Sequence, residues 1–137
     1  MKRRYAASRN STDTETVETR PEELVRNVIE VAEEKKAHDV VALDVRELTI
    51  LTDYFVIASA DSETAIRSLS NAIVKRLAQV GMRKPWHVEG TSVGGWIVLD
   101  YGDAVVHIFH DRTRLFYDLE GLWGDAPRFT PEDDRLT

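Results

Sequence analysis

Apolar residues recur at helical spacing along TRPEELVRNVIEVAEEKKA. Leu24, Val28, Val31, Ala32 and Lys35 share one stripe, which Val25 and Ile29 broaden. Thr19 or Arg20 stands at the cap, and Pro21 occupies a first-turn position where a missing N–H costs little. Glu22 and Glu23 face the positive end of the helix dipole, Lys35 and Lys36 the negative end. The period then changes. DVVALDV, ending at Val45, and DYFVIASA (53–60) are almost continuous apolar runs, which predicts strands buried on both faces, joined by RELTILTD. DSETAIRSLSNAIVKRLAQVG returns to helical spacing through Ile66, Leu69, Ile73, Leu77 and Val80. Asp61 or Ser62 caps its start and Gly81 ends it. KPWHVEGTSVGG is a turn-rich bridge with room for a short strand at Trp86–Glu89.

WIVLDYGDAVVHIFHD (96–111) reads as a hairpin turning at Gly102-Asp103, so that the numbers of cross-strand partners sum to 205. One face then carries Ile97, Leu99, Tyr101, Ala104, Val106 and Ile108, a set that packs on a helix. The other carries Trp96, Val98, Asp100, Val105, His107 and Phe109. That second face is either another core surface or an exposed interface with aromatic anchors and charges that set register. RTRLFYDLEGLWGDAP offers one or two short helices and RFTPEDDRLT a polar tail. The order α, β, β, α, β, β, α predicts an α/β domain with a mixed sheet flanked by helices.

Composition narrows the chemistry. With 137 residues and 42% apolar content the chain suits one domain with tails. It has no cysteine, which removes disulfides, thiolate metal sites and cysteine nucleophiles. No apolar run approaches the roughly 20 residues of a membrane span. Residues 1–19 are polar, Ser/Thr-rich and aperiodic, and read as a disordered tail. The start has no apolar segment of a secretory signal, and Asp13, Glu15 and Glu18 argue against a transit peptide. Net charge is −6; residues 1–20 hold five basic and three acidic side chains, so the remainder stands at −8. So acidic a body repels bare nucleic acid unless it hides a basic stripe, and it suits a basic protein partner.

Catalytic patterns are sparse. His107 and His110 lie on opposite faces of one strand and cannot chelate one metal without a bulge. Asp100 and Asp103 flank a turn and could pair as acid/base or metal ligands, although turn aspartates usually form the turn itself. Phosphate-binding glycine loops and a nucleophile elbow are absent from the sequence.

LTDYFVIAS, HVEG and WIVLDYGDAVVHIFHDRTRLFYDLEGLWGDAP, in this order, resemble the ribosomal silencing factor (Iojap-like) family over Glu22 to Pro127. The resemblance implies a nucleotidyltransferase-like fold without the catalytic signature, and a non-enzymatic, cytoplasmic translational repressor that needs no cofactor or metal. Such a factor binds the large ribosomal subunit through its fourteenth protein and blocks joining with the small subunit under nutrient limitation, often as a homodimer. It implies neither membrane association nor sequence-specific nucleic-acid binding. The domain would span residues 20–127, between tails at 1–19 and 128–137. Trp96, Leu99, Asp100, Tyr101, Asp103 and His107 match the family's signature block and are the expected docking residues. Trp96 would anchor, and the two aspartates would meet Lys or Arg. The hairpin alternation nevertheless turns Leu99 and Tyr101 toward the core, with Tyr101 partly exposed at the turn. Phe116, Tyr117 and Trp123 could extend this surface, but read rather as residues closing the C-terminal helices on the sheet. Two alternatives are a metal-dependent nucleotidyl or phosphoryl transferase using Asp100, Asp103 and His107 or His110, and a dimerisation module using the apolar hairpin face.

Overall fold

The computed structural model describes residues 20–130. The disordered tail expected for 1–19 lies outside them. The elements are α1 (Pro21–Glu34), β1 (His38–Asp44), β2 (Tyr54–Ala60), α2 (Glu63–Gln79), β3 (His87–Thr91), β4 (Trp96–Asp100), β5 (Ala104–His110), α3 (Asp111–Tyr117) and α4 (Leu119–Leu122). They build a five-stranded sheet in the order β1-β2-β5-β4-β3. Only β2 and β5 run parallel; the other neighbours are antiparallel. The mixed sheet follows from α2, β3 and β4 lying between β2 and β5, a long connection that brings β5 back beside β2 in the same direction.

Both long helices cover one face of the sheet. Leu24, Val25, Val28, Ile29, Val31 and Ala32 of α1 are buried, as are Ile66, Leu69, Ile73 and Leu77 of α2. Ser62 caps α2, its hydroxyl accepting from the Ala65 N–H at 3.1 Å. Val80, expected on the apolar stripe, is half exposed because it is the C-cap residue, one step past the helix.

The hairpin has the expected register: Trp96 pairs with Phe109, Ile97 with Ile108, Val98 with His107, Leu99 with Val106 and Asp100 with Val105. Gly102 sits at φ +88°, a conformation open to glycine, and a Cβ there would come within 2.9 Å of the Trp86 indole nitrogen. Ile97, Leu99, Tyr101, Ala104, Val106 and Ile108 all join the helix-covered core. This excludes the apolar hairpin face as a dimer interface, because α1 and α2 already occupy it.

β1 departs from its expected burial. It is an edge strand, and His38 and Asp39 at its start are exposed. A bulge between His38 and Val41 breaks the register with β2, and Asp39 takes φ +48°. The chain after α4 covers the far half of this edge. Asp44 N–H donates to Pro127 O and Phe129 N–H to Ala42 O, both at 2.8 Å. The Phe129 ring meets Tyr54 edge-on at 5.5 Å. Phe129, two residues past Pro127, thus packs on the β1 edge as well.

Candidate docking surface

The second face of the sheet is only partly covered. Its cross-strand rows run His87-Asp100-Val105-Phe55-Leu43 and Glu89-Val98-His107-Ile57-Val41. On the β1–β2 side, Leu43, Val45, Ile57, Phe109 and Ala126 form a small second core, flanked by Phe55, Trp96, Leu119 and Trp123. Toward β4 and β3, Val98, Asp100 and Val105 are partly exposed, and His87 and Glu89 are exposed. The two sequence readings of this face are thus each true of half of it.

Trp96 holds the border. Its indole N–H donates to His107 Nδ1 at 3.2 Å. Its ring lies 4.8 Å from Phe109 and 4.6 Å from Tyr117 of α3. Burial pushes the His107 imidazole down to about 4, so the ring is neutral at pH 7. With Nδ1 accepting, the ring proton sits on Nε2, which is buried without a hydrogen-bond partner.

Arg114 of α3, not singled out by the sequence, clamps the C-terminal helices to the sheet. Its Nε and Nη2 donate to the two Glu120 carboxylate oxygens at 3.0 and 2.9 Å. Nη1 donates to Ser59 Oγ at 3.1 Å and His38 O at 3.2 Å, and Nη2 to Asp39 O at 2.7 Å. The guanidinium thus satisfies two carbonyls at the start of β1, beside the bulge, and it holds the Glu120 carboxyl below the usual range. Asp118, at φ +45°, ends α3 and starts α4, accepting from the Gly121 N–H.

This anchorage presents Leu115 (81% exposed), Phe116 (80%), Tyr117 (51%) and Leu122 (74%) to solvent. The expectation that Phe116 and Tyr117 seal the helices onto the sheet is corrected: Tyr117 does so in part, against Trp96, and Phe116 faces outward. One signal was available. Three consecutive apolar residues on a helix spread over about 200° and cannot all face one core. Leu115 also borders a hollow of about 930 Å³ whose lining holds Asp39, Asp111, Asp118 and Glu120 together with basic His38, Arg114 and Arg128.

The six expected docking residues divide. Leu99 and Tyr101 are 1% and 0% exposed, which corrects their assignment: they are core residues on the face under the helices. Trp96 and Asp100 lie partly exposed on the open face, and His107 is buried beneath it. Asp103 stands at the turn, with Arg83 Nη2 3.5 Å away. Asp100 Oδ1 accepts the Gly102 N–H at 2.8 Å, so one carboxylate oxygen shapes the turn. His110 Nδ1 caps α3 from the other end of β5. These groups do not converge. Among the described residues, no cluster of three or more His, Cys, Asp or Glu is arranged to hold a metal ion. No described helix is long and apolar enough to cross a membrane.

The C-terminal helices of this α/β body thus carry exposed apolar side chains beside both acidic and basic ones. Residues 18–137 match the family model described as "Ribosomal silencing factor during starvation", and the chain belongs to this family. A ribosomal silencing factor of Halalkalibacterium halodurans is 36% identical over 106 residues, covering 77% of this chain and 90% of that protein. A crystal structure of a Chromobacterium violaceum protein superposes with a TM-score of 0.73 at 33% identity, covering 77% of this chain and 88% of that one. The Mus musculus "Mitochondrial assembly of ribosomal large subunit protein 1" is 30% identical over 98 residues, 70% of this chain and 43% of that protein.

Proposed function

We propose that this protein represses translation in the cytoplasm by binding the large ribosomal subunit through its fourteenth protein and sterically blocking the small subunit, with a homodimer as its free form. The observation that carries this reading is the exposed apolar set Leu115, Phe116, Tyr117 and Leu122 on α3 and α4. Four large apolar side chains within eight residues, held outward by a buried arginine, form a surface that gains by being covered. Asp39 and Asp118 beside it, which form no ion pair among the described residues, suit a basic ribosomal protein, whereas Asp111 and Glu120 are paired with His38 and Arg114. Trp96 and Asp100 lie on the adjoining open face with His107 beneath it, while Asp103 stands at the β4–β5 turn at the other end of β5.

Occlusion requires no chemistry, only occupancy. A micromolar Kd, worth about −8 kcal/mol, suffices when the factor is itself micromolar. The test is titration calorimetry of the full chain with the isolated fourteenth protein, using the parent and Phe116→Asp. Saturable binding by the parent, weakened at least about tenfold in the variant, supports the reading. No heat with either protein opposes it.

A further inference from the structure

The sequence from Thr64 to Val88 contains no Asp or Glu in a chain that carries 24, while Arg67, Lys75, Arg76, Arg83 and Lys84 fall within it. The fold gathers part of this charge on the outer face of α2. Thr64, Arg67, Ser68, Asn71 and Lys75 recur at helical spacing opposite the buried stripe, and Lys35 joins them from the end of α1. Together with Ala72 they line a shallow groove of about 440 Å³ that has no acidic residue in its walls. All three cations are exposed. Arg67 donates to the Ser92 hydroxyl at 3.4 Å, and no carboxylate among the described residues pairs with Arg67, Lys35 or Lys75. Arg76, by contrast, is spent on Glu30 and Glu34 at 3.3 and 2.6 Å. Glu33 and Glu34, which precede Lys35, and Glu63 in the first turn of α2 are the nearest acids in sequence and are not part of the groove; Glu34 is paired with Arg76.

We propose that this groove is a second contact site, one that takes the phosphate backbone of ribosomal RNA next to the protein docked through α3 and α4. The inference rests on the ribosome-binding reading above. A protein of net charge −6 meets a polyanion only where its own acids are absent, and this groove supplies that window. Lys35, Arg67 and Lys75, which no carboxylate pairs among the described residues, can meet phosphates, and the Thr64, Ser68 and Asn71 side chains can donate to phosphate oxygens. No groove residue needs to reach a base, so the contact is independent of sequence. It adds affinity and orients the body over the subunit.

The experiment measures binding of the full chain to purified large subunits at several KCl concentrations and fixed Mg²⁺, for the parent and for Lys35→Gln/Arg67→Gln/Lys75→Gln. Each phosphate contact contributes about 0.7 to 0.9 to the slope of log K against log salt. The triple variant is expected to flatten the slope by about two to three and to weaken binding more than about tenfold near 0.1 M salt. An unchanged slope and affinity overturn the proposal while leaving the docking reading intact. Failure of the parent to bind large subunits sinks both. Because the chain has no cysteine, Asn71→Cys can carry a single tethered hydroxyl-radical probe. Cleavage of ribosomal RNA from that position supports the backbone contact. A flattened slope without RNA cleavage assigns the groove to an acidic protein surface instead and overturns it. Circular dichroism of these exposed-site variants verifies that they remain folded.

Discussion

The Trp96 indole N–H donates to Nδ1 of the buried His107, and this bond ties β4 to β5 under the edge of the proposed docking surface. A neutral imidazole is required, since a protonated Nδ1 could not accept. Burial lowers the His107 pKa from 6.5 to about 4. The unfolded chain therefore takes up this proton before the folded one. The stability at stake is fully present above pH 6.5 and is lost as pH falls toward 4, amounting to about 3 kcal/mol. Exposed His38 works in the opposite direction, its pKa raised by Asp111. Urea unfolding at pH 7 and pH 4.5 is expected to show a loss in the parent that His107→Phe largely removes; equal pH slopes in the two proteins would refute the assignment.

Phe116→Asp and Leu122→Asp change side chains that are 80% and 74% exposed. Exposed substitutions of this kind usually alter stability by no more than about 0.5 kcal/mol. Melting temperatures close to the parent's, combined with weakened binding to the large subunit, are expected. Parent-like binding by both variants removes the apolar set from the interface.

Leu99→Ala and Tyr101→Phe test the core assignment. Leu99 is buried under α1 and α2, and its truncation should cost about 2–5 kcal/mol. The Tyr101 hydroxyl is buried and has no hydrogen-bond partner. Its removal should leave stability unchanged or raise it, because a desolvated, unpaired hydroxyl is a cost. Denaturant midpoints decide. A near-neutral Leu99→Ala that nevertheless abolishes binding would return Leu99 to the interface.

Arg114→Ala removes one partner of a largely buried ion pair, leaves the Asp39 carbonyl without its side-chain donor and the His38 carbonyl with only the Ser59 hydroxyl at 3.4 Å. Loss of about 3 kcal/mol is expected, near the low end for breaking a buried pair because Glu120 stays partly solvated. Hydrogen exchange should rise first in α3 and α4. Protection there equal to the parent's would contradict the clamp.

Alternation along 96–110 and a glycine at the turn made the hairpin register legible, since a slip of one residue would have turned every core side chain outward. Helical spacing exposed α1 and α2 in the same way. That β1 lies at an edge was not legible, because an edge strand and a central one can share composition, and sheet order depends on distant pairings. The signature block mixed buried and exposed positions: Leu99 and Tyr101 carry the fold, while Trp96 and Asp100 lie on the open face. Arg114 gave no local sign, for its partners Ser59 and His38 lie far away in sequence and meet it only after β1 bulges. The groove on α2 needed the fold too, which brings Lys35 beside Arg67 and Lys75.

The decisive measurement is sedimentation of the purified protein through sucrose gradients with isolated large subunits, with small subunits, and with both in Mg²⁺. Co-migration with large subunits alone, together with fewer joined ribosomes as protein is added, is the expected result. Protein that stays at the top of every gradient, or joined ribosomes that persist at saturating protein, would contradict repression by occlusion.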